Sequence, residues 1–273
     1  MLVIDAHAHI FQDRAAAFAV RGITRFYQLT CHGDGRAESL IADGEAAGVD
    51  RFVVHAVATT PGQVRSINDF ILSVWDRWPE RIIPFAALHP DLPGLEEKID
   101  EIVEAGFYGV KLHPDMQRFR LDEPRSIHML KLLSGRLPAL IHTGDRRYDF
   151  SGPERVLNAR EAAPELTMIC AHLGGWSDWD KAARMLPGHG LYVDTSSSLE
   201  ALEPERAADI IRAFGAQNVL FGTDFPLETP TRALARFDRL PLTAEEKRRI
   251  LGENAARVIL NQEEMDNDKT DLV

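Results

Sequence analysis

The chain has 273 residues, 45% hydrophobic and 27% charged, enough for one α/β barrel of about 250 residues with a large core. Its 31 Lys plus Arg against 42 Asp plus Glu give a net charge of -11, which repels nucleic-acid phosphates and anionic membranes. Disordered, collagen-like and coiled-coil classes do not fit this composition.

The predicted elements alternate strand and helix along almost the whole chain. A first strand at 2–7 leads into a long connection, 10–35, expected as a loop beside an active site. A helix at 36–47 stops at Gly48, a strand follows at 51–57, then a helix at 63–78 and a strand at 82–88. The next pair is a helix at 95–105, ended by Gly106, and a strand at 108–113. A second long connection, 114–123, precedes a helix at 124–133 that opens on Pro124. Strands at 139–142, 166–172, 191–194 and 219–223 alternate with helices at 154–162, 178–186, 204–214 and 231–237. A last helical piece, 244–260, is expected at the barrel bottom or edge. Eight strands, each followed by a helix, predict a (β/α)8 TIM barrel, one catalytic domain over 1–261, with 262–273 a polar, mobile tail.

Only Cys31 and Cys170 are present, so a disulfide framework is not expected, and a reducing cytoplasm is the expected home. The segment 1–11 is interrupted by Asp5, His7 and His9 and lacks a basic flank, so it does not read as a signal peptide. No apolar run approaches the roughly 20 residues that span a bilayer. The expected partner is a small molecule, not a nucleic acid or a membrane. Self-association into a homo-oligomer is compatible with the sequence.

The histidines carry the chemistry. Seven of the ten (His7, His9, His55, His89, His113, His142 and His172) fall at or just beyond predicted strand ends, while strands seven and eight end in Asp194 and Asp224. A closed parallel barrel gathers all these ends on one face. Asp5, His7 and His9 alternate with Ala6 and Ala8, so an extended strand turns the three polar side chains to the mouth and the alanines to the helices. Two imidazoles two residues apart can clamp one cation, His142 offers a third nitrogen, and Asp224 a carboxylate. Three imidazoles and a carboxylate suit one divalent ion, zinc first, with manganese, iron and cobalt also fitting. Such an ion lowers the pKa of bound water to about 7 and supplies a nucleophile. His172, before Gly174 and Gly175, is placed to move protons.

Lys111 and His113 share one face of strand four, where an ammonium could bind a substrate carboxylate or a carboxylated lysine could bridge two metals. The connection 10–35 mixes Arg14, Arg21 and Arg25 with Phe11, Phe18, Phe26 and Tyr27, a set suited to a planar anion. Arg146, Arg147 and Tyr148 after His142, and Trp176 near His172, could act likewise. For each of these alone, a surface or packing role is the ordinary reading. As a set, Lys111, His113, Arg146, Tyr148 and Trp176 are the candidate substrate contacts.

The segments MLVIDAHAHIF, GVKLHPDMQRFRLD, LIHTGD, AHLGGW, FGTDFP and ILGENAARVI resemble the amidohydrolase-related family that includes aminocarboxymuconate-semialdehyde decarboxylase, with related aromatic-acid decarboxylases, hydratases and lactonases. The resemblance runs from Met1 to about Leu260. It implies that His7, His9, His142 and Asp224 hold one metal, that His172 activates water or substrate, and that Lys111 is not carboxylated. The first expectation for function is hydrolysis of an amide, lactone or ester by metal-activated water, with Asp224 and His172 handling protons. The alternative is non-oxidative decarboxylation of an aromatic or unsaturated acid.

Overall fold

The computed structural model describes residues 1–262, so the expected tail lies, but for its first residue, outside the described part of the chain. Eight strands pair in parallel in the sequential order β1 to β8. They are β1 (Ile4–His9), β2 (Arg51–His55), β3 (Ile82–Ala87), β4 (Gly109–Leu112), β5 (Ala139–Ile141), β6 (Met168–Cys170), β7 (Tyr192–Asp194) and β8 (Val219–Leu220). The principal outer helices are α2 (Ala37–Ala47), α3 (Val64–Arg77), α4 (Leu95–Glu104), α6 (Pro124–Leu133), α7 (Pro153–Ala162), α8 (Trp179–Met185), α9 (Pro204–Phe214) and α10 (Pro230–Asp238). The (β/α)8 TIM barrel expected from the alternation is the architecture observed.

Alternation along each strand divides the apolar residues between two layers. Val53, Ile83, Phe85, Leu140, Ile169 and Leu220 pack inside the barrel, and Ala255, Ala256 and Ile259 of α12 (Asn254–Leu260) join them. The other faces, such as Phe52, Val54, Ile82 and Val110, pack with helix residues such as Leu40, Ile71, Leu130 and Ile210. Burial of this kind is worth roughly 25 cal/mol per Å² of apolar surface, so the two layers supply the main driving force for the barrel.

Closure between β1 and the segment after β8 sets the position of the mouth. The backbone N–H of Ala6 donates to Phe221 (2.8 Å), that of His9 to Phe225 (2.7 Å), and that of Asp224 to the His7 carbonyl (2.8 Å). Asp5 fastens this seam from within. Its carboxylate accepts from the His7 and Thr223 amides (3.0 Å each) and from Thr223 Oγ1 (2.7 Å).

Three sequence expectations are corrected here. The register of β1 shifts between Asp5 and Ala8, so simple alternation fails: Ala6 packs with the interior cluster, and Asp5 binds the seam instead of pointing to the mouth. The expected loop 10–35 contains a helix, α1 (Asp13–Tyr27), whose apolar residues recur at helical spacing and turn one face to a cavity. Strand six stops at Cys170 instead of 172, since His172 and Leu173 adopt left-handed backbone angles (φ 62° and 51°) that cannot continue a strand. The second long connection holds the single-turn helix α5 (Pro114–Gln117), and α11 (Ala244–Arg248) opens with a Thr243–Glu246 capping box.

Replacing Asp5 by Ala would strand three buried donors, each worth about 1–3 kcal/mol. Allowing for relaxation, the variant should lose about 2–4 kcal/mol of unfolding free energy in denaturant titration. A loss within about 0.5 kcal/mol, the range of an ordinary surface change, would show that this latch does not hold the seam.

Candidate active site

The mouth is built from neutral imidazoles and ionised carboxylates. His7 Nε2 and His9 Nε2 each lie 3.4 Å from Asp224 Oδ1, on side chains that are buried or nearly so. Two ligands on bonds of about 2.1 Å, spread at a tetrahedral angle, would sit about 3.4 Å apart, so each histidine stands from Asp224 at the separation expected of two ligands on one divalent cation. Burial is the main cause that lowers His7 to about 4 and also lowers His9, so both rings are neutral near pH 7. Burial pulls Asp224 upward, but His7, His9 and His172 outweigh it and hold the carboxyl well below the usual range. Deprotonated ligands are what metal binding requires.

His7 is oriented from behind. Its Nδ1 donates to Asp194 Oδ2 at 2.8 Å, the carboxylate–histidine pairing that fixes the tautomer and turns Nε2 toward a metal. Ser196 Oγ lies 3.0 Å from the same nitrogen and also contacts Asp194 Oδ1. Gly222 makes room for this ring, since a Cβ there would stand 2.9 Å from the His7 Cβ. Asp224 itself is left-handed (φ 63°), and its Oδ2 accepts from Ser197 Oγ at 2.6 Å.

His142 and His172 form the opposite side. His142 Nδ1 lies 2.9 Å from His172 Nε2 and 3.5 Å from the Tyr27 hydroxyl. His172 Nδ1 donates to the Ser196 carbonyl (3.0 Å), its backbone N–H donates to Asp194 Oδ1 (3.0 Å), and its carbonyl accepts from the Trp179 indole (3.0 Å). The ring is therefore fixed with Nε2 turned to His142. Among the described residues the clusters of candidate metal donors are His7, His9 and His55; His7, His172 and Asp194; and His113, Asp115 and His142. The four ligands expected from sequence thus split: Asp224, in none of these clusters, neighbours both His7 and His9, and His142 stands on the far side of His172.

The candidate substrate contacts divide as well. His113 and Tyr148 line a cavity of about 870 Å³ above His9, His142, His172 and Asp224. His113 stacks on His142 with ring centres 3.9 Å apart and shares a hydrogen bond with Tyr27 Oη at 2.6 Å. Lys111 is fully buried beneath, 2.9 Å from His7 Nε2, and burial pushes it down to about 8. Arg146 and Trp176 do not line the cavity. Arg147 folds back onto Asp145 (2.6 Å) and lies over the Phe26, Tyr27, Tyr148 and Trp176 rings, bracing the wall.

Sequence reasoning assigned no role to Asp194, Ser196, Asp115 or His55, and took Tyr27 only as one of a set of loop residues suited to a planar anion. Asp194 is the most accessible of these in retrospect, since it ends strand seven as Asp224 follows strand eight. Asp115 lies on the cavity wall, its Oδ2 accepts from Ser151 Oγ (2.8 Å), and burial pushes it up to about 7.

A family model described as amidohydrolase matches residues 4–259. The chain therefore belongs to the amidohydrolase family and is an enzyme. No curated protein sequence matches it. Among solved structures, 2,6-dihydroxybenzoate decarboxylase in complex with 2,6-dihydroxybenzoate superposes with a TM-score of 0.74 at 17% identity, over 96% of this chain and 100% of that one. A dihydroxybenzoic acid decarboxylase from Polaromonas with bound manganese and 2-nitroresorcinol gives 0.73 at 16% identity, over 96% and 98%. 5-Carboxyvanillate decarboxylase from Sphingomonas paucimobilis gives 0.68 at 15% identity, over 95% and 99%.

His7→Ala and Asp224→Ala should each lower bound metal at least about tenfold while leaving the far-ultraviolet circular dichroism unchanged, because the site lies above the packed layers. Wild-type metal content in both variants would remove them from the ligand set.

Proposed function

We propose that this protein is a divalent-metal-dependent, non-oxidative decarboxylase of an aromatic or unsaturated carboxylic acid. The observation that carries this reading is the cavity. Its floor is the His/Asp cluster, and its walls are mainly aromatic and aliphatic, among them Phe11, Ile23, Phe26, Phe70, Met116 and Phe150. Such walls accept a planar apolar body and strip water from the carboxylate at its end. Support comes also from the fold relatives, which are decarboxylases of phenolic acids, one of them holding manganese. The hydrolase reading that the sequence put first uses the same floor but has no feature of the walls in its favour.

A divalent cation held by His7, His9 and Asp224, with His142 as the further ligand, would supply a Lewis acid that fixes a substrate oxygen. Three imidazoles and a carboxylate taken alone fit zinc, the ion the sequence put first, and accept manganese, iron or cobalt too. The remaining work falls to side chains. Loss of carbon dioxide breaks the carbon–carboxyl bond, leaves the electron pair on the substrate carbon, and requires one proton there. His172 in its doubly protonated form is placed to deliver it from Nε2, leaving a neutral ring that a solvent proton restores: its Nδ1 stays anchored on the Ser196 carbonyl, and its ring lies on the cavity floor. The Tyr27 hydroxyl and His113 form a hydrogen-bonded edge beside the floor, suited to orient a phenolic or carbonyl oxygen. We assign one catalytic metal per chain, with Lys111 uncarboxylated. The free thiols Cys31 and Cys170 accord with a cytoplasmic location, which we propose as well.

Incubating the metal-loaded enzyme with a panel of hydroxylated benzoic acids should release carbon dioxide, and prior removal of metal by a chelator should abolish it. Lactone, ester or amide cleavage with no carbon dioxide from any acid would reverse the choice. His172→Asn should keep its metal and lose about 10²–10⁴-fold in turnover, the usual worth of general acid–base help. Loss of the metal along with activity would instead make His172 a ligand.

A further inference from the structure

His55 ends β2 directly beside His9, with which it is paired in register, and it is completely buried. Val53, two residues earlier, packs inside the barrel, so the His55 ring is turned to the interior, under the mouth. There it meets His9 edge-on at 4.4 Å and His7 at 5.0 Å between ring centres. Among the described residues neither of its nitrogens has a hydrogen-bond partner. Buried imidazoles almost always find partners, and a position that served packing alone would be filled by an apolar ring at no such penalty.

We propose that His55 is a metal-binding residue of this centre, an additional imidazole ligand to the cation held by His7, His9 and Asp224. The proposal rests on the metal-centre reading given above. Its basis is that donor atoms of His7, His9 and His55 all lie within 4.8 Å of one another. Two nitrogens on opposite sides of one ion, each on a bond of about 2.1 Å, would be about 4.2 Å apart, so small side-chain adjustments bring the three onto a single cation. Burial keeps His55 unprotonated at neutral pH, leaving a lone pair available.

The consequence is a choice of ion. With Asp224 and His142, a ligating His55 raises the protein donors beyond the four of a closed tetrahedral zinc site. The centre then favours ions that accept five or six ligands, such as manganese, iron or cobalt, over tetrahedral zinc.

Cobalt(II) reports coordination number directly, because its visible bands strengthen several-fold when five or six ligands fall to four. The full chain, freed of metal and titrated with cobalt alone, should show weak bands. In His55→Phe the bands should intensify, and affinity measured against a competing chelator should fall at least about tenfold. X-ray absorption of the wild-type cobalt protein needs no variant, and it should show one more imidazole than His7, His9 and His142 provide. Unchanged bands and affinity in His55→Phe, or no additional imidazole in the wild type, would overturn the proposal. His7→Ala separates the two levels: cobalt lost there but unaltered in His55→Phe refutes His55 alone, whereas cobalt retained in His7→Ala refutes the metal centre beneath it.

Discussion

The seam where β1 meets the end of the barrel is the constraint on which the site depends. His7 and Asp224 are distant in sequence, yet the Asp224 amide donates to the His7 carbonyl at 2.8 Å, and Asp5 binds both sides of the joint. A barrel that closed one residue out of register would turn Asp224 away from both histidines. The same hydrogen bonds thus close the fold and set the 3.4 Å separations that fit a cation.

Electrostatics then decide what the closed mouth can hold. Asp194 and Asp224 are buried as anions, beside His7 and His9, which burial keeps neutral, and the Lys111 ammonium. Two buried carboxylates against one ammonium leave a net negative charge that a divalent ion would offset. Asp194 stands behind the proposed ligands, fixing His7 through Nδ1 and His172 through its backbone amide. One carboxylate therefore orients both the histidine proposed to bind metal and the one proposed to transfer the proton.

Much of this was legible in the sequence because it follows from period and strand ends. Eight aliphatic runs, each separated by an amphipathic helix, gave the barrel, and the concentration of histidines at the ends of those runs located the mouth. The register shift in β1 was not legible, since Asp5 to His9 alternates perfectly and only pairing with β2 and the Thr223 contact break the pattern. Helix α1 was readable but missed: Ala15, Phe18, Ala19, Gly22, Ile23 and Phe26 recur at helical spacing and line one wall of the cavity. The arginines interleaved with them suggested a loop suited to a planar anion; on the helix Arg14 lines the cavity, whereas Arg21 and Arg25 do not. Asp115 and Ser196 carried no local signal, because their roles come from partners on other elements.

The central claim is that one catalytic divalent cation sits between His7, His9 and Asp224 at the cavity floor. The most direct test is a crystal structure of the metal-loaded protein with anomalous scattering recorded at the metal's absorption edge. The account predicts one strong anomalous peak per chain, bonded to His7 Nε2, His9 Nε2 and Asp224, with no carboxyl group on Lys111. A peak instead among His113, Asp115 and His142, or a second peak bridged to the first through Lys111, would contradict it.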